Sequence, residues 1–428
     1  MRPVSRLIFL ISVASLVLTG PVFGSGFSIF EQGTKASGMA GAFVATADDP
    51  SAMFYNVAGI AQQRHMAAMT GATFINFSNS FEGAADDAFA SGVSAKFDRH
   101  LFIIPNTYSV VPIGDNLTFG VGLFAAYGLR TDWQDPYPGR FIARDTNLRT
   151  VSVQPSLAWQ TSDGRLALGA GVEYRRARLT LQRNNGIFNP FTQRISDVAN
   201  IYLDSDPESG IGWTAGVLFK PTDTLRLGAS YRSDMDIDFG GDATFTQIST
   251  GNAQLDAIVK AGLPPNQKIK ATLPFPSVTA VGIATSAIPN WDVEFDLTHT
   301  TWSRFKTLLV EFQTTPANNL NLPQDWSDTF SYRLGANRNI GDTWAVRFGG
   351  VYDENPQPTE GVGPLLPDSD RIGFTFGVGF RHGPFTLEAS DMVLHFLERS
   401  TEGISGDNFN GVYRTEANLL SLNLGYRF

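Results

Sequence analysis

The sequence has no cysteine among its 428 residues, so disulfides and thiolate metal sites are both excluded. It has no excess of positive charge either. Acidic residues outnumber basic ones 41 to 32, and the formal net charge is −9. A basic footprint for nucleic acid is therefore missing. Histidine is scarce: His65, His100, His299, His382 and His395 are the five present. They form no His-Glu-x-x-His pair, and the chain holds no Gly-x-Ser-x-Gly elbow. Asp234, Asp236, Asp238 and Asp242 hint at a calcium loop, but its twelfth position is Phe245 rather than Glu, so the pattern fails. No enzyme chemistry, metal or cofactor is expected. Beyond residue 24, no apolar run approaches the roughly 20 residues that a membrane-spanning helix needs.

What is present points elsewhere. Aromatic residues make up 12% of the chain, 33 of them Phe, and there are 42 Gly. That mixture suits closely packed strands with aromatic surfaces. At the N-terminus, Arg2 and Arg6 precede an apolar run from Leu7 to Leu18, and Val22-Phe23-Gly24 offers a cleavage site. Residues 1–24 read as a secretory signal peptide removed before Ser25. An exported chain with no spanning helix is either soluble or a transmembrane barrel, and its strand pattern decides which.

From about residue 65 the chain repeats one unit, a segment of alternating polarity followed by a turn. Ile372, Phe374, Phe376, Val378 and Phe380 alternate with Gly373, Thr375, Gly377, Gly379 and Arg381. Trp291, Val293, Phe295 and Leu297 alternate with Asp292, Glu294, Asp296 and Thr298. Successive side chains on a strand point to opposite faces, so each segment has one oily and one polar face. A soluble sandwich alternates too. Here, however, the oily faces are rich in aromatics, the other faces repeatedly carry Arg, Asp and Glu, and the linkers alternate short and long. Ser162-Asp163-Gly164, Gly341-Asp342 and His382-Gly383 are tight, whereas 185–210, 240–268 and 356–369 are long. This is the pattern of a transmembrane barrel with short periplasmic turns and long external loops.

The expected fold is all-β: a closed antiparallel barrel of about fourteen strands over 65–428, with residues 25–64 as a plug of short helices and turns in its lumen. The strand centres fall near 72, 105, 121, 154, 173, 215, 231, 279, 298, 333, 348, 376, 391 and 421. The last strand alternates Leu420, Leu422, Leu424, Tyr426 and Phe428 with polar or small residues up to the terminal Phe. That ending resembles the signal read by the outer-membrane assembly machinery, an expected partner through Phe428. The other expected partners are a hydrophobic small-molecule ligand and the lipid and lipopolysaccharide around the barrel. A plugged barrel can work as a monomer.

Several stretches resemble a known family. Ser25-Gly26-Phe27, Glu31-Gln32-Gly33, Ser37-Gly38-Met39-Ala40-Gly41-Ala42 and the run from Ala47 to Gly59 look like the N-terminal plug of the FadL/TodX family. Its members are outer-membrane transporters of long-chain fatty acids and aromatic hydrocarbons. Tyr127-Gly128-Leu129-Arg130-Thr131, Thr301-Trp302-Ser303-Arg304-Phe305, Trp326-Ser327-Asp328 and Pro367-Asp368-Ser369-Asp370-Arg371 extend the likeness along the mature chain. One departure stands out: the family's Asn-Pro-Ala is here Asn56-Val57-Ala58. The resemblance implies a hydrophobic route from an external groove to an inner pocket, then sideways through a gap in the wall at a kinked third strand.

The candidate site residues follow. External capture is expected from two apolar stripes near helical spacing: Phe188, Phe191, Ile195, Val198 and Tyr202, and then Leu255, Ile258 and Val259. An inner pocket should add a cation for a carboxylate. In Tyr174-Arg175-Arg176-Ala177-Arg178, alternation puts Tyr174, Arg176 and Arg178 on one face, and the resemblance matches Arg176 to a ligand-contacting arginine. Phe305 and Lys306 form a second candidate segment. Phe27 is expected as a gate whose ring leaves the pocket when ligand arrives, and Asn56 as part of the moving plug. Gly120 and Gly122 are the candidates for weakening the third strand, with Pro105 and Pro112 as alternatives in the second. The expected cargo is a hydrophobic small molecule, long-chain fatty acids first, with aromatic hydrocarbons as the alternative; the competing readings are a passive porin for polar solutes and a structural or adhesive barrel.

Overall fold

The structure, a computed structural model, describes residues 25–428 apart from 86, 88, 89, 98, 99, 136 and 402; the expected signal peptide lies outside the described residues. Fourteen antiparallel strands close into a barrel. In chain order they are β1 Ala67–Gly83, β2 Leu101–Ile113, β3 Leu117–Phe124, β4 Asp145–Gln160, β5 Leu166–Asn189, β6 Glu208–Phe219 and β7 Leu225–Arg232, followed by β8 Val278–Thr285, β9 Trp291–Thr300, β10 Thr329–Ile340, β11 Trp344–Asp353, β12 Arg371–His382, β13 Phe385–Phe396 and β14 Gly411–Arg427. Each pairs with the next, and β14 returns to β1 from Ala67↔Arg427 to Gly83↔Gly411. Closure leaves no open edge in lipid, which the bilayer demands of any spanning sheet. All fourteen expected strand centres fall inside these strands. Phe428 finishes the seam, donating its N–H to the Met66 carbonyl at 2.8 Å, with its ring 4.6 Å from that of Tyr426.

Above the spanning barrel stands a second tier, formed by segments that the alternation pattern assigns to long loops. The upper half of β5 pairs with Arg194–Ser205, which pairs with Met235–Gln247. Gln267–Phe275, Thr307–Phe312 and Leu320–Pro323 continue the sheet. The expected helical stripe at 188–202 is therefore a β-hairpin. Residues 194–205 are rich in Ile, Val and Tyr, which favour strands. A register shift at Asn185/Gly186 breaks the two-residue period and mimics helical spacing. The second stripe is a helix, α3, at Ala253–Gly262, capped by the Asn252 side chain, which accepts from the N–H groups of Gln254 and Leu255.

Polarity inverts between the tiers, and β5 records the crossover. In its lower half Val172 and Tyr174 face outward, while Glu173 and Arg175 are buried inside. In its upper half Arg176 and Arg178 face outward, and Ala177 and Leu181 are buried. Lipid surrounds the lower half and water the upper, so the oily face must change sides. The acidic alternation at 234–242 obeys the upper rule. Met235, Ile237 and Phe239 are buried, and Asp236, Asp238 and Asp242 are exposed to the outside rather than facing a lumen.

Residues 25–66 fill the barrel. Two single-turn helices, α1 Thr34–Ser37 and α2 Ala52–Tyr55, lie among turns, and a 3₁₀ segment at Val57–Gln62 follows. Such irregular backbone needs partners, and side chains on the inner wall supply them. Asp296 accepts from the N–H groups of Phe43 and Val44 at 2.7 and 2.9 Å. Glu294 accepts from those of Ala45 and Thr46 at 2.6 and 3.0 Å. Asn423 accepts from both the N–H and the hydroxyl of Thr34. The wall approaches closely enough to require glycine at several positions; for example, a Cβ on Gly216 would strike the Asn56 side chain, and one on Gly228 the Val44 carbonyl. Asn56 donates to the carbonyls of Val44 and Val217 at 2.8 and 3.0 Å, and accepts from the Ala58 N–H at 3.2 Å. It thus caps the 3₁₀ segment, which starts at Val57 without the fixed φ of a proline.

Candidate functional site

The leading residues of the plug run upward to the level where the polarity inverts. Gly26 has φ +62°, and a Cβ there would collide with the rings of Trp302 and Trp326. Its N–H donates to Asp368 Oδ2 at 2.8 Å, and the Ser25 hydroxyl donates to the Glu354 carbonyl at 2.6 Å. Asp368 lies in the loop between β11 and β12, and burial pushes its carboxyl up to about 7 although Arg371, Arg399 and two backbone N–H groups oppose the rise.

Phe27 follows and is 2% exposed. Five rings surround it, those of Tyr127, Phe275, Trp302, Phe305 and Trp326, with centroids 4.6 to 5.9 Å away. Most meet it edge-on, the arrangement that π quadrupoles favour. The second tier supplies Phe275, and the 301–328 connection supplies both Trp and Phe305. A cage of aromatic walls therefore holds one aromatic side chain of the plug.

Two guanidinium groups lie beside the cage. Arg175 is 1% exposed and stacks over Tyr127 at 4.4 Å and Phe275 at 4.8 Å. It donates to Glu173 Oε1 from Nη2 at 2.7 Å. Arg232, 7% exposed, pairs with the other oxygen of Glu173 and donates to the Phe54 carbonyl at 3.1 Å. One carboxylate thus faces two cations. Near Arg232 a cavity of about 50 Å³ opens between Phe30, Phe54, Tyr127, Val278 and Arg333. A smaller one, about 30 Å³, lies higher among Leu181, Leu203, Phe239, Ile269, Leu308 and Val310.

The wall is interrupted beside Phe27. Phe124 pairs with Ser152 and Gly128 with Arg149, so three residues, 125–127, face only two on β4. On the other side, β3 pairs with β2 only from Thr107 to Ile113. Among the described residues no ladder joins Leu101–Asn106 of β2 to residues 124–132. The plug covers this gap with its own backbone. Ile29 donates to the Ala126 carbonyl at 2.8 Å, and Gly128 donates to the Phe27 carbonyl at 2.9 Å. Gln32 donates from Nε2 to the Ala125 carbonyl at 2.7 Å, and its own carbonyl accepts from the Tyr108 hydroxyl at 2.7 Å.

Of the sequence-derived residues, Phe27 and Phe305 meet in the cage. Tyr174, Arg176 and Arg178 lie on the outer face, so the inner cation of that run is Arg175. The oily-face rule could have shown this, because Val172 marks the lipid side and Arg176 shares it. Arg178 is engaged outside by Asp204 at 2.7 Å. Lys306 is exposed and reaches the Trp326 carbonyl at 3.4 Å. Gly120 and Gly122 sit in the regular part of β3, just before the interruption, and Pro105 and Pro112 sit in regular ladder positions of β2. Phe188, Phe191, Ile195 and Ile258 are exposed on the second tier, Val259 is half-buried and Leu255 is buried. Sequence reasoning singled out neither Arg232 nor residues 125–126, and it took Tyr127, Trp302 and Trp326 only as parts of family-like segments; the topology alone brings them beside Phe27.

Comparison with known proteins matches residues 15–428 to the family model described as outer membrane protein transport protein (OMPP1/FadL/TodX). The long-chain fatty acid transport protein of Salmonella typhi is 25% identical over 94% of this chain and 97% of its own length. Outer membrane protein P1 of Haemophilus influenzae is 25% identical over 98% of each chain. Among solved structures, a Pseudomonas aeruginosa FadL homologue superposes with a TM-score of 0.83 at 22% identity, covering 94% of this chain and all of that one. The Ralstonia pickettii toluene transporter TbuX gives 0.70 at 20% identity over 94% of this chain and all of its own.

Proposed function

Since the chain belongs to the OMPP1/FadL/TodX family of outer-membrane transport proteins and is an outer-membrane channel for hydrophobic molecules, we propose that its cargo is long-chain fatty acids, taken up past the Phe27 cage and released through the interrupted wall. The observation that carries the choice of cargo is the charge beside the cage, two guanidinium groups against one carboxylate. That excess suits a second carboxylate, the headgroup of a fatty acid.

The physical logic of the route is graded burial. An acyl chain gains about 0.8 kcal/mol for each methylene taken from water. The polar surface outside the membrane offers no such gain, and a wet pore offers none inside. The exposed apolar residues of the hairpin and α3 offer first contact, the apolar interior of the second tier continues inward, and the cage lies at its foot. Displacement of Phe27 opens the cage and removes its carbonyl from Gly128, uncovering the gap between β2 and residues 124–132. Movement of Asn56 within the plug is secondary in this reading, since it anchors the lower end.

A second reading is uptake of aromatic hydrocarbons, favoured by one observation: the cage now holds a single ring. Expression in a host lacking fatty-acid uptake separates the two. Labelled oleate should enter, and Arg175→Met should reduce oleate binding more than toluene binding. Equal loss for both ligands would refute the headgroup role. Uptake of sugars in place of oleate would make the protein a passive porin, and uptake of neither would leave a structural or adhesive barrel.

A further inference from the structure

Among the described residues, the outer face of β4 and β5 carries two cations that no carboxylate pairs with, at the height where the lipid face ends. Going up β5, Leu168, Val172 and Tyr174 are exposed apolar or aromatic positions, and Arg176 is the first charged residue above them. Tyr174 is flanked by Val153 and Ile211, and Arg176 by Val151 and Ser209. The stretch from Leu166 to Arg175 is about the length needed to cross an apolar band of roughly 25 Å at the usual tilt. Arg176 therefore stands at the level of the outer-leaflet headgroups.

The neighbouring charges are mostly used up. Arg178 is bound to Asp204 by two oxygens, and Arg130 bridges Asp132 and Asp145. Arg149 is different. It lies opposite Arg178, diagonal to Arg176, and its hydrogen-bond partner is the neutral amide of Asn147. Among the described residues Arg176 forms no ion pair. Diagonal neighbours on a sheet stand about 7–8 Å apart, so two long guanidinium side chains can close on one anion between them. A guanidinium fork matches phosphate better than an ammonium does.

We propose that Arg149 and Arg176 form a binding site for a phosphate group of the phosphorylated lipid of the outer leaflet, with Tyr174, Val153 and Ile211 against its acyl chains. The site is on the outside of the wall, separate from the Phe27 cage, and does not depend on the cargo.

The test is binding of lipid A to the purified full-length barrel in detergent, followed by native mass spectrometry, with dephosphorylated lipid A and inorganic phosphate as the other probes. Wild type should bind lipid A on the order of tenfold more tightly than R149Q/R176Q, and should lose the same preference with the dephosphorylated lipid. R149K/R176K should fall between, because the charge stays and the fork is lost. Heat-modifiable migration shows that each variant is folded. Equal binding of lipid A by wild type and R149Q/R176Q would overturn the proposal, as would equal binding of the two lipids. Inorganic phosphate competing at the same concentration as lipid A would also overturn it, by showing a site for a free anion.

Discussion

The Phe27 cage makes a prediction that runs against ordinary expectation: Phe27→Ala should tighten ligand binding. Phe27 is buried among five aromatic rings, in the space the cargo is proposed to enter. A ligand must first displace that ring, so its apparent affinity is lowered by the cost of displacement. Truncating a buried Phe to Ala typically costs about 3–5 kcal/mol, which measures what the ring gains by docking. If all of it opposed the ligand, removal would strengthen binding by about a hundredfold to a few thousandfold. The segment also docks through the backbone bonds at Gly26, Phe27 and Ile29, which survive the substitution. The expected gain is therefore at least about tenfold and below the upper figure. A brominated fatty acid titrated against the intrinsic fluorescence reads the binding, because Trp302 and Trp326 form two walls of the cage and a bromine there quenches them. Phe27→Leu should give a smaller gain. Unchanged or weaker binding by Phe27→Ala would show that the ring is an anchor and not a placeholder.

Three further outcomes are expected. The carboxyl of Asp368 is raised from its usual 3.8 to about 7, so the folded protein prefers it neutral, and stability falls as pH rises from about 4 to about 7, by on the order of 4 kcal/mol at most; proteolysis of the N-terminal segment should accelerate over that range in wild type, level off above it, and stay level throughout in Asp368→Asn. Gly216→Ala should push Asn56 aside, break its bonds to Val44 and Val217 and loosen the plug by about 1–3 kcal/mol, seen as raised conductance in planar bilayers; unaltered conductance would sink the close-approach argument. Asp296→Ala strips the acceptor from two plug N–H groups that stay buried, and should lower the heat-unfolding midpoint, with a cost of about 2–6 kcal/mol; an unchanged midpoint would refute the anchoring role of these bonds.

The fold was legible because lipid imposes a strict period. Rows such as Ile372 to Phe380 have to alternate when one face is oil and the other touches a polar stopper, so the fourteen strands could be found from the residues. The second tier was hidden by the same rule. Its strands alternate with the opposite sense, as Met235, Ile237 and Phe239 inward against Asp236 and Asp238 outward illustrate, and a reader tuned to outward-facing oil takes them for loops or lumen. Phe27 and Phe305, singled out in the sequence, come together in the cage, whereas Arg176, expected at an inner pocket, lies on the outer face one residue from the buried Arg175. That error was one of face. The pair Val172 and Tyr174 set the lipid side, and the cation needed inside had to be on the other. The interruption at 125–127 has no glycine or proline to announce it; it exists because three residues must fit against two.

Phe27 touches the cage with its side chain and the wall with its main chain. Its ring cannot be dragged far from Trp302 without straining the bond its carbonyl accepts from Gly128, so in the proposed route detection of a guest and loosening of the adjacent seam would share one lever arm. That route would require no relay through the barrel and no shift beyond the first few ordered residues. Economy of this kind has a corollary for engineering under the proposed route: reshaping the ring and its walls to alter cargo preference should alter the timing of release as well, because both act through the same residue.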